Sequence, residues 1–169
     1  MPHLTDHDYD PLDNFGRLLI DAASLLSRAV DKRARSLGIS GPQLVVLIRI
    51  GGGANRTAAE LCRGLDYDSG AMTRMLDRLI KLGLVQKAPD PKDGRMIILS
   101  LTEKGAALYP ALKPVAIDVI NQHLQGFGSE EVQQFGAMLR RLIENADPLV
   151  GRSETGADAS AKKDNIGTT

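Results

Sequence analysis

Cysteine is nearly missing from this chain: Cys62 is the only one among 169 residues, so no disulfide can form within it. Histidine is almost as scarce. His3, His7 and His123 are scattered, which leaves no His/Cys pair at the spacing of a zinc site or a thiol nucleophile, and no metal or other cofactor is expected. G-x-S-x-G, HExxH and a strand-borne glycine loop for phosphates are also lacking, since Gly51-Gly52-Gly53 follows a helical pattern rather than a strand. These absences speak against an enzyme. Apolar runs approaching the roughly 20 residues that span a bilayer do not occur. Met1 to Asp10 holds three aspartates and lacks the basic and apolar regions of a secretory signal, so a reduced, cytoplasmic setting without membrane attachment is expected.

A net charge of either sign is missing too, because 21 Lys and Arg balance 21 Asp and Glu. The balance hides a gradient. Residues 1–48 carry five basic against six acidic side chains, and residues 96–169 carry seven against nine, whereas residues 49–95 carry nine against six. Phosphate binding answers to local charge rather than to the chain total, so the middle is the expected nucleic-acid surface. With 43% hydrophobic residues the chain has enough apolar material for one ordinary core.

Between Leu12 and about Ser36, Phe15, Leu18, Leu19, Ala22, Leu25, Leu26, Ala29 and Val30 recur every three to four positions, the period of an amphipathic helix ended by Gly38. Ser40 with Gln43 has capping-box spacing for a second helix through Leu44, Val46, Leu47 and Ile50, stopped by the three glycines from Gly51. Thr57 with Glu60 repeats that spacing and predicts a short helix from Ala58 to about Arg63, with Gly64 supplying the turn. Asp68 or Ser69 then caps a helix whose apolar stripe is Met72, Met75, Leu76 and Leu79 and which Gly83 ends. Leu84 to Ala88 and Arg95 to Leu101 read as two strands around the turn-rich, charged segment Pro89 to Gly94. A long helix follows from Thr102-Glu103, with a kink or late start expected at Pro110 and Pro114. Ser129-Glu130-Glu131 caps a last helix that turns Val132, Phe135, Leu139, Leu142 and Ile143 inward, and the polar sequence after Pro148 predicts a disordered tail.

Two short helices across a tight turn, followed by a hairpin, outline a winged helix-turn-helix. In that motif the second helix lies in the major groove with its N-terminal residues against base edges. Here the second helix opens with Ser69, Gly70, Ala71, Met72, Thr73 and Arg74. Arginine grips guanine O6 and N7 in bidentate fashion, the small Gly70 and Ala71 permit close approach, and Arg78 and Lys81 reach toward phosphates from the same helix. Ser69, Gly70, Thr73, Arg74 and Arg78 are therefore the candidate DNA-binding residues of the recognition helix. Met72 and Met75 are read as core.

The 48 residues from Ala58 to Gly105 resemble the core of MarR-family regulators, and Asp93-Gly94-Arg95 followed by Leu99, Leu101 and Thr102 is similar to that family's wing signature. The resemblance implies a mainly α (α+β) fold: a winged helix-turn-helix at residues 38–104, dimerisation helices at 11–37 and 105–147, and flexible ends at 1–10 and 148–169. It also implies a homodimeric repressor on a palindromic operator in double-stranded DNA, released by a small aromatic or phenolic acid. Lys92, Asp93 and Arg95 become the candidate wing contacts. Many family members carry two arginines after the wing aspartate, where this chain has Gly94 before Arg95. Arg95 then either enters the minor groove or pairs with an acidic residue to brace the wing.

The family's effector crevice, between the dimer helices and the winged domain, makes Arg17 and Arg28 candidates to meet a carboxylate. Cys62 is read as a small buried residue, with a redox-sensing regulator as the other possibility. His123 is read as a surface or interface residue. A helical protein-interaction module without DNA binding remains the rival of a different class.

Overall fold

The computed structural model describes residue 10 and residues 14–54 and 56–150; of the expected flexible ends, residues 1–9 and 151–169 lie outside the described residues, whereas residues 148–150 are helical and so correct the expected start of the tail at 148. The chain forms α1 (Phe15–Ala34), a 3-10 turn (Arg35–Leu37), α2 (Gly41–Gly51), α3 (Ala58–Leu65) and α4 (Ser69–Lys81). These are followed by β1 (Val85–Pro89), β2 (Ile97–Leu101), α5 (Glu103–His123) and α6 (Ser129–Val150). It is a mainly α fold with one two-stranded antiparallel sheet among the described residues, paired from Val85↔Leu101 to Pro89↔Ile97.

Side-chain caps set most of the helix starts. Asn14 accepts the Arg17 amide at 2.9 Å to begin α1, and Ser40 with Gln43 closes both halves of a capping box on α2. Thr57 with Glu60 does the same on α3, and Asp68 accepts the Ala71 amide at 2.8 Å to begin α4. Each such cap satisfies amides that a helix leaves unbonded in its first turn. At α6 the Glu131 carboxylate accepts the Gly128 amide at 2.6 Å, so the capping acid is the third residue of the helix rather than Ser129.

The glycines and prolines act in different ways. The three glycines do stop α2: Gly51 is its last helical residue and Gly52 its C-cap, and a Cβ on Gly51 would overlap the ring of Tyr109 from α5. Gly64 sits inside α3, and the left-handed residue of the turn to α4 is Asp66, at φ 55. Aspartate is among the few non-glycine residues that tolerate this region, so the helix extends two residues past Arg63, to Leu65, before it reverses. Of the kink or late start expected at Pro110 and Pro114, the late start does not occur: α5 starts at Glu103 and runs through both prolines. Four residues apart, the two prolines share an exposed face with Ala106, so the Ala106 and Pro110 carbonyls, which lose a helical donor, belong to exposed residues.

The core is centred on α2, where Leu44, Val46, Leu47 and Ile50 meet Leu61 of α3, Met72, Leu76 and Leu79 of α4, Val85 and Leu99 of the hairpin, and Leu112 of α5. The Leu99 amide also donates to the Arg56 carbonyl at 2.7 Å, which ties the wing to the start of α3. Elsewhere the apolar faces have no cover among the described residues. Phe15, Leu18, Ile20 and Leu25 of α1, Ile117 and Ile120 of α5, and Phe135, Met138, Leu142 and Ile143 of α6 are all exposed. The expected inward face of α6 is apolar, but it is not turned toward its own chain's core: Phe135, Leu142 and Ile143 are exposed, and no other described element packs extensively on α6.

At the α1–α2 crossing, a Cβ on Gly41 would come within 3.0 Å of the Asp31 backbone, and the Gly41 amide donates to Asp31 Oδ1 at 2.9 Å. The other carboxylate oxygen takes Arg35 at 2.8 Å. The Gly41 amide, helped by Arg35, holds the Asp31 carboxyl below the usual aspartate range. A carboxyl whose folded pKa is lowered stabilises above its unfolded value, near 4, and that contribution is lost as pH falls through the folded value. Asp31→Asn is therefore expected to unfold more readily in urea at pH 7, and the gap from wild type is expected to narrow below about pH 4. A gap that is constant from pH 7 to pH 3 would contradict this role for Asp31.

Candidate nucleic-acid interface

Helix α4 divides its two faces sharply. Met72, Leu76 and Leu79 are buried, whereas Ser69, Thr73, Arg74, Asp77, Arg78 and Lys81 are exposed. The residues expected to meet DNA thus lie on or beside one exposed surface, with the half-buried Gly70 at its N-terminal end. The Thr73 hydroxyl donates to the Ser69 carbonyl at 2.7 Å, which fixes its rotamer and leaves its methyl and lone pairs outward. Arg74 folds back along the helix, its Nη1 lying 3.4 Å from where a Gly70 Cβ would sit. The tighter neighbour of such a Cβ is Asp68 Oδ1 at 3.2 Å, the oxygen that caps α4. Among the described residues, Arg74, Arg78 and Lys81 form no ion pair; Asp77 is turned toward Lys87 of β1, 3.8 Å away.

Upstream of α4, the N-terminus of α3 is held by Glu60. Glu60 accepts the Arg56 amide at 2.6 Å and the Thr57 amide at 2.9 Å. These bonds, the Arg56 amide foremost, lower the Glu60 pKa against the opposing effect of partial burial.

In the wing, two aspartates shape the tip. Asp90 Oδ1 accepts the Lys92 amide at 2.7 Å, and Asp93 Oδ1 accepts the Arg95 amide at 3.1 Å. The Asp93 carboxylate therefore acts on the backbone of its own turn. Lys92, Gly94 and Arg95 are exposed, and a Cβ on Gly94 would meet nothing within 4 Å. Of the two roles open to Arg95, pairing with an acidic side chain does not occur among the described residues.

The two arginines considered for an effector are not brought together. Arg17 pairs with Asp21 at 2.9 Å in the first turns of α1. Arg28 lines an open groove with Lys32, Arg35 and Pro42. Beside that groove is a cavity of about 360 Å³ between α1, the start of α2 and the α3–α4 turn. It is lined by Ala23, Leu26, Ser27, Val30, Gly41, Pro42, Val45, Leu65 and Tyr67. Neither arginine reaches its lining. Tyr67, which the sequence did not single out, ends one wall of this cavity and immediately precedes the Asp68 cap of α4. Cys62 is half-buried against the core, and His123 is exposed with its Nδ1 2.8 Å from the Val119 carbonyl. Among the described residues, no three His, Cys, Asp or Glu side chains cluster as metal ligands, and no helix is long and apolar enough to cross a membrane.

Comparison with known proteins places this architecture. A family model described as MarR family matches residues 37–96. The multiple antibiotic resistance protein MarR of Escherichia coli K12 is 32% identical over 129 residues, which cover 76% of this chain and 90% of that protein. The HTH-type transcriptional repressor NicR of Pseudomonas putida is 28% identical over 142 residues, covering 84% and 90%. Among solved structures, a single-residue mutant of E. coli MarR complexed with operator DNA superposes with a TM-score of 0.69 at 32% identity, over 78% of this chain and 93% of that one. An exposed, cationic α4 face on a winged core and this degree of likeness lead to one assignment: the chain belongs to the MarR family of DNA-binding transcriptional regulators.

Proposed function

We propose that this protein represses transcription by binding, as a homodimer, a pseudo-palindromic operator, and that a small aromatic or phenolic ligand releases it. The observation that carries the reading is the split of surfaces. The middle of the chain offers arginines on α4 without ion pairs among the described residues, while α1, α5 and α6 expose apolar faces that a second copy would cover. Covering one large apolar side chain is worth about 1.5–3 kcal/mol, so a surface of this extent favours a second copy over water. Residues 11–37 and 105–147 serve as the dimerisation helices and residues 38–104 as the DNA-binding unit. Two copies of α4 then read half-sites about 34 Å apart, one turn of the duplex.

In this reading Ser69, Thr73 and Arg74 meet base edges, Gly70 allows the approach, and Arg78 meets phosphate. Lys92 and Arg95 extend from the wing toward the minor groove, with Asp93 shaping the turn that presents them. Support for the repressor reading comes from NicR, named a transcriptional repressor, and support for operator binding comes from the E. coli MarR complex. The cell compartment follows from the activity: a DNA-binding regulator of this kind acts in the cytoplasm.

The cavity beside α1 and α2 is the effector site in this proposal. Its walls are apolar enough for an aromatic ring, and Arg28 in the adjoining groove is the cation available to a carboxylate, since Arg17 is engaged by Asp21. A ligand there would displace Tyr67 and with it the start of α4. To release DNA strongly it must prefer the displaced form by several kcal/mol.

Arg74→Ala is expected to cost about 1–3 kcal/mol in affinity for a duplex selected by the wild-type protein and to relax base preference at one position of each half-site. Quantitative binding to the duplex and its single-base variants measures both, and an unchanged affinity and selectivity would show that α4 is not the reading element. Titration of the preformed complex with salicylate and benzoate tests the effector site: dissociation is expected in wild type and is expected to weaken in Leu26→Trp, which fills the cavity. Salicylate and benzoate leaving the wild-type complex intact would remove aromatic acids from the proposal.

A further inference from the structure

Three successive backbone carbonyls, where α4 gives way to β1, are all held by the first turn of α5. The carbonyl of Leu82, the C-cap of α4, accepts Lys104 Nζ at 2.8 Å. That of Gly83 accepts the Thr102 hydroxyl at 2.5 Å, and that of Leu84 accepts the Thr102 amide at 3.1 Å. The Thr102 hydroxyl is used twice, because it also accepts the Gly105 amide at 3.1 Å and so caps α5. Gly105 permits the approach, since a Cβ there would overlap the Leu84 carbonyl.

A helix C-terminus leaves its last carbonyls without partners and carries partial negative charge, so an ammonium group suits it. Such a cation commonly comes from the helix's own last turn. Here it comes from a different helix, 22 residues further along the chain. The body of that helix packs on α1 and α2, with Leu112 buried in the core and the Tyr109 ring against Gly51. Helix α5 is therefore a strut between the end of α4 and the body of the chain at α1 and α2.

We propose that Lys104 and Thr102 are positioning residues for operator recognition: they lock the C-terminal end of α4 to α5, and through α5 they set the separation of the two recognition helices in the dimer. The inference rests on the two-half-site reading above and adds the link that makes spacing a property of the fold. Lys104 acts through α4 and contacts no phosphate.

The probe is a duplex selected by wild-type protein from a random-sequence pool, together with versions carrying one or two extra base pairs between the half-sites. Lys104→Met keeps the aliphatic stem near Gly83 and removes the ammonium. It is expected to bind the selected duplex about tenfold more weakly, the equivalent of one charge-assisted hydrogen bond. It is also expected to discriminate less against the inserted duplexes, with the slope of log affinity against log salt unchanged. Lys104→Arg, which can donate to the same carbonyl, is expected to restore affinity and discrimination. Thr102→Val is expected to lose discrimination in the same direction.

A salt slope reduced by about one phosphate in Lys104→Met would make Lys104 a direct DNA contact and overturn the proposal. Discrimination equal to wild type in both Lys104→Met and Thr102→Val would overturn it too, because lost stability lowers the active fraction without changing the ratio between duplexes. Wild-type protein that is itself indifferent to the insertions would instead overturn the two-half-site reading, and the inference with it.

Discussion

A recognition helix of 13 residues is too short to hold its shape in water alone, because isolated helices below about 12–15 residues are marginal. It must also leave one face free of the protein. Both demands are met by burying Met72, Leu76 and Leu79 and by fixing the two ends. Asp68 caps the N-terminus, and at the C-terminus Gly83, at φ +69, turns the chain so that α5 can reach the carbonyls of Leu82, Gly83 and Leu84. The exposed face is then released from a stabilising role, and it carries arginines without ion pairs among the described residues, as the proposed contact with nucleic acid requires.

The two ends of α4 are connected to different parts of the dimerisation frame. Upstream, Leu65 and Tyr67 join its cap to the wall of the cavity formed with α1 and α2. Downstream, the contact is with α5. A ligand in the cavity and a change at the dimer interface would therefore act on opposite ends of the same short helix. Under the proposed function, both routes would alter its orientation without any need to unfold it. The wing is less constrained: its tip is shaped by Asp90 and Asp93 bonding to their own loop, and the exposed Gly94 adds no side chain.

Much of the fold was legible because its signals are local. The boxes at Ser40/Gln43 and Thr57/Glu60, the Asp68 cap and the apolar stripe of α4 are encoded within three or four residues, and the structure places each where the spacing predicts it. The misreadings share a cause, which is that a glycine or proline was given a meaning independent of its surroundings. Gly64 stays helical while Asp66 takes the left-handed position, and Pro110 and Pro114 are accommodated within α5 on an exposed face. The exposed arginines of α4 were legible for the same local reason as the stripe. The Lys104 contact with Leu82, the cavity at Tyr67 and the outward turn of the apolar face of α6 were not. Each depends on segments far apart in sequence, and no periodicity records it.

The most direct test of a dimer reading two major grooves through α4 is dimethyl sulfate footprinting on a duplex selected by the wild-type protein, because the reagent reports on guanine N7 in the major groove. Two protected clusters related by a pseudo-two-fold axis and centred about 10 base pairs apart are the expected result. A single protected cluster, or binding that leaves every guanine N7 reactive, would contradict it.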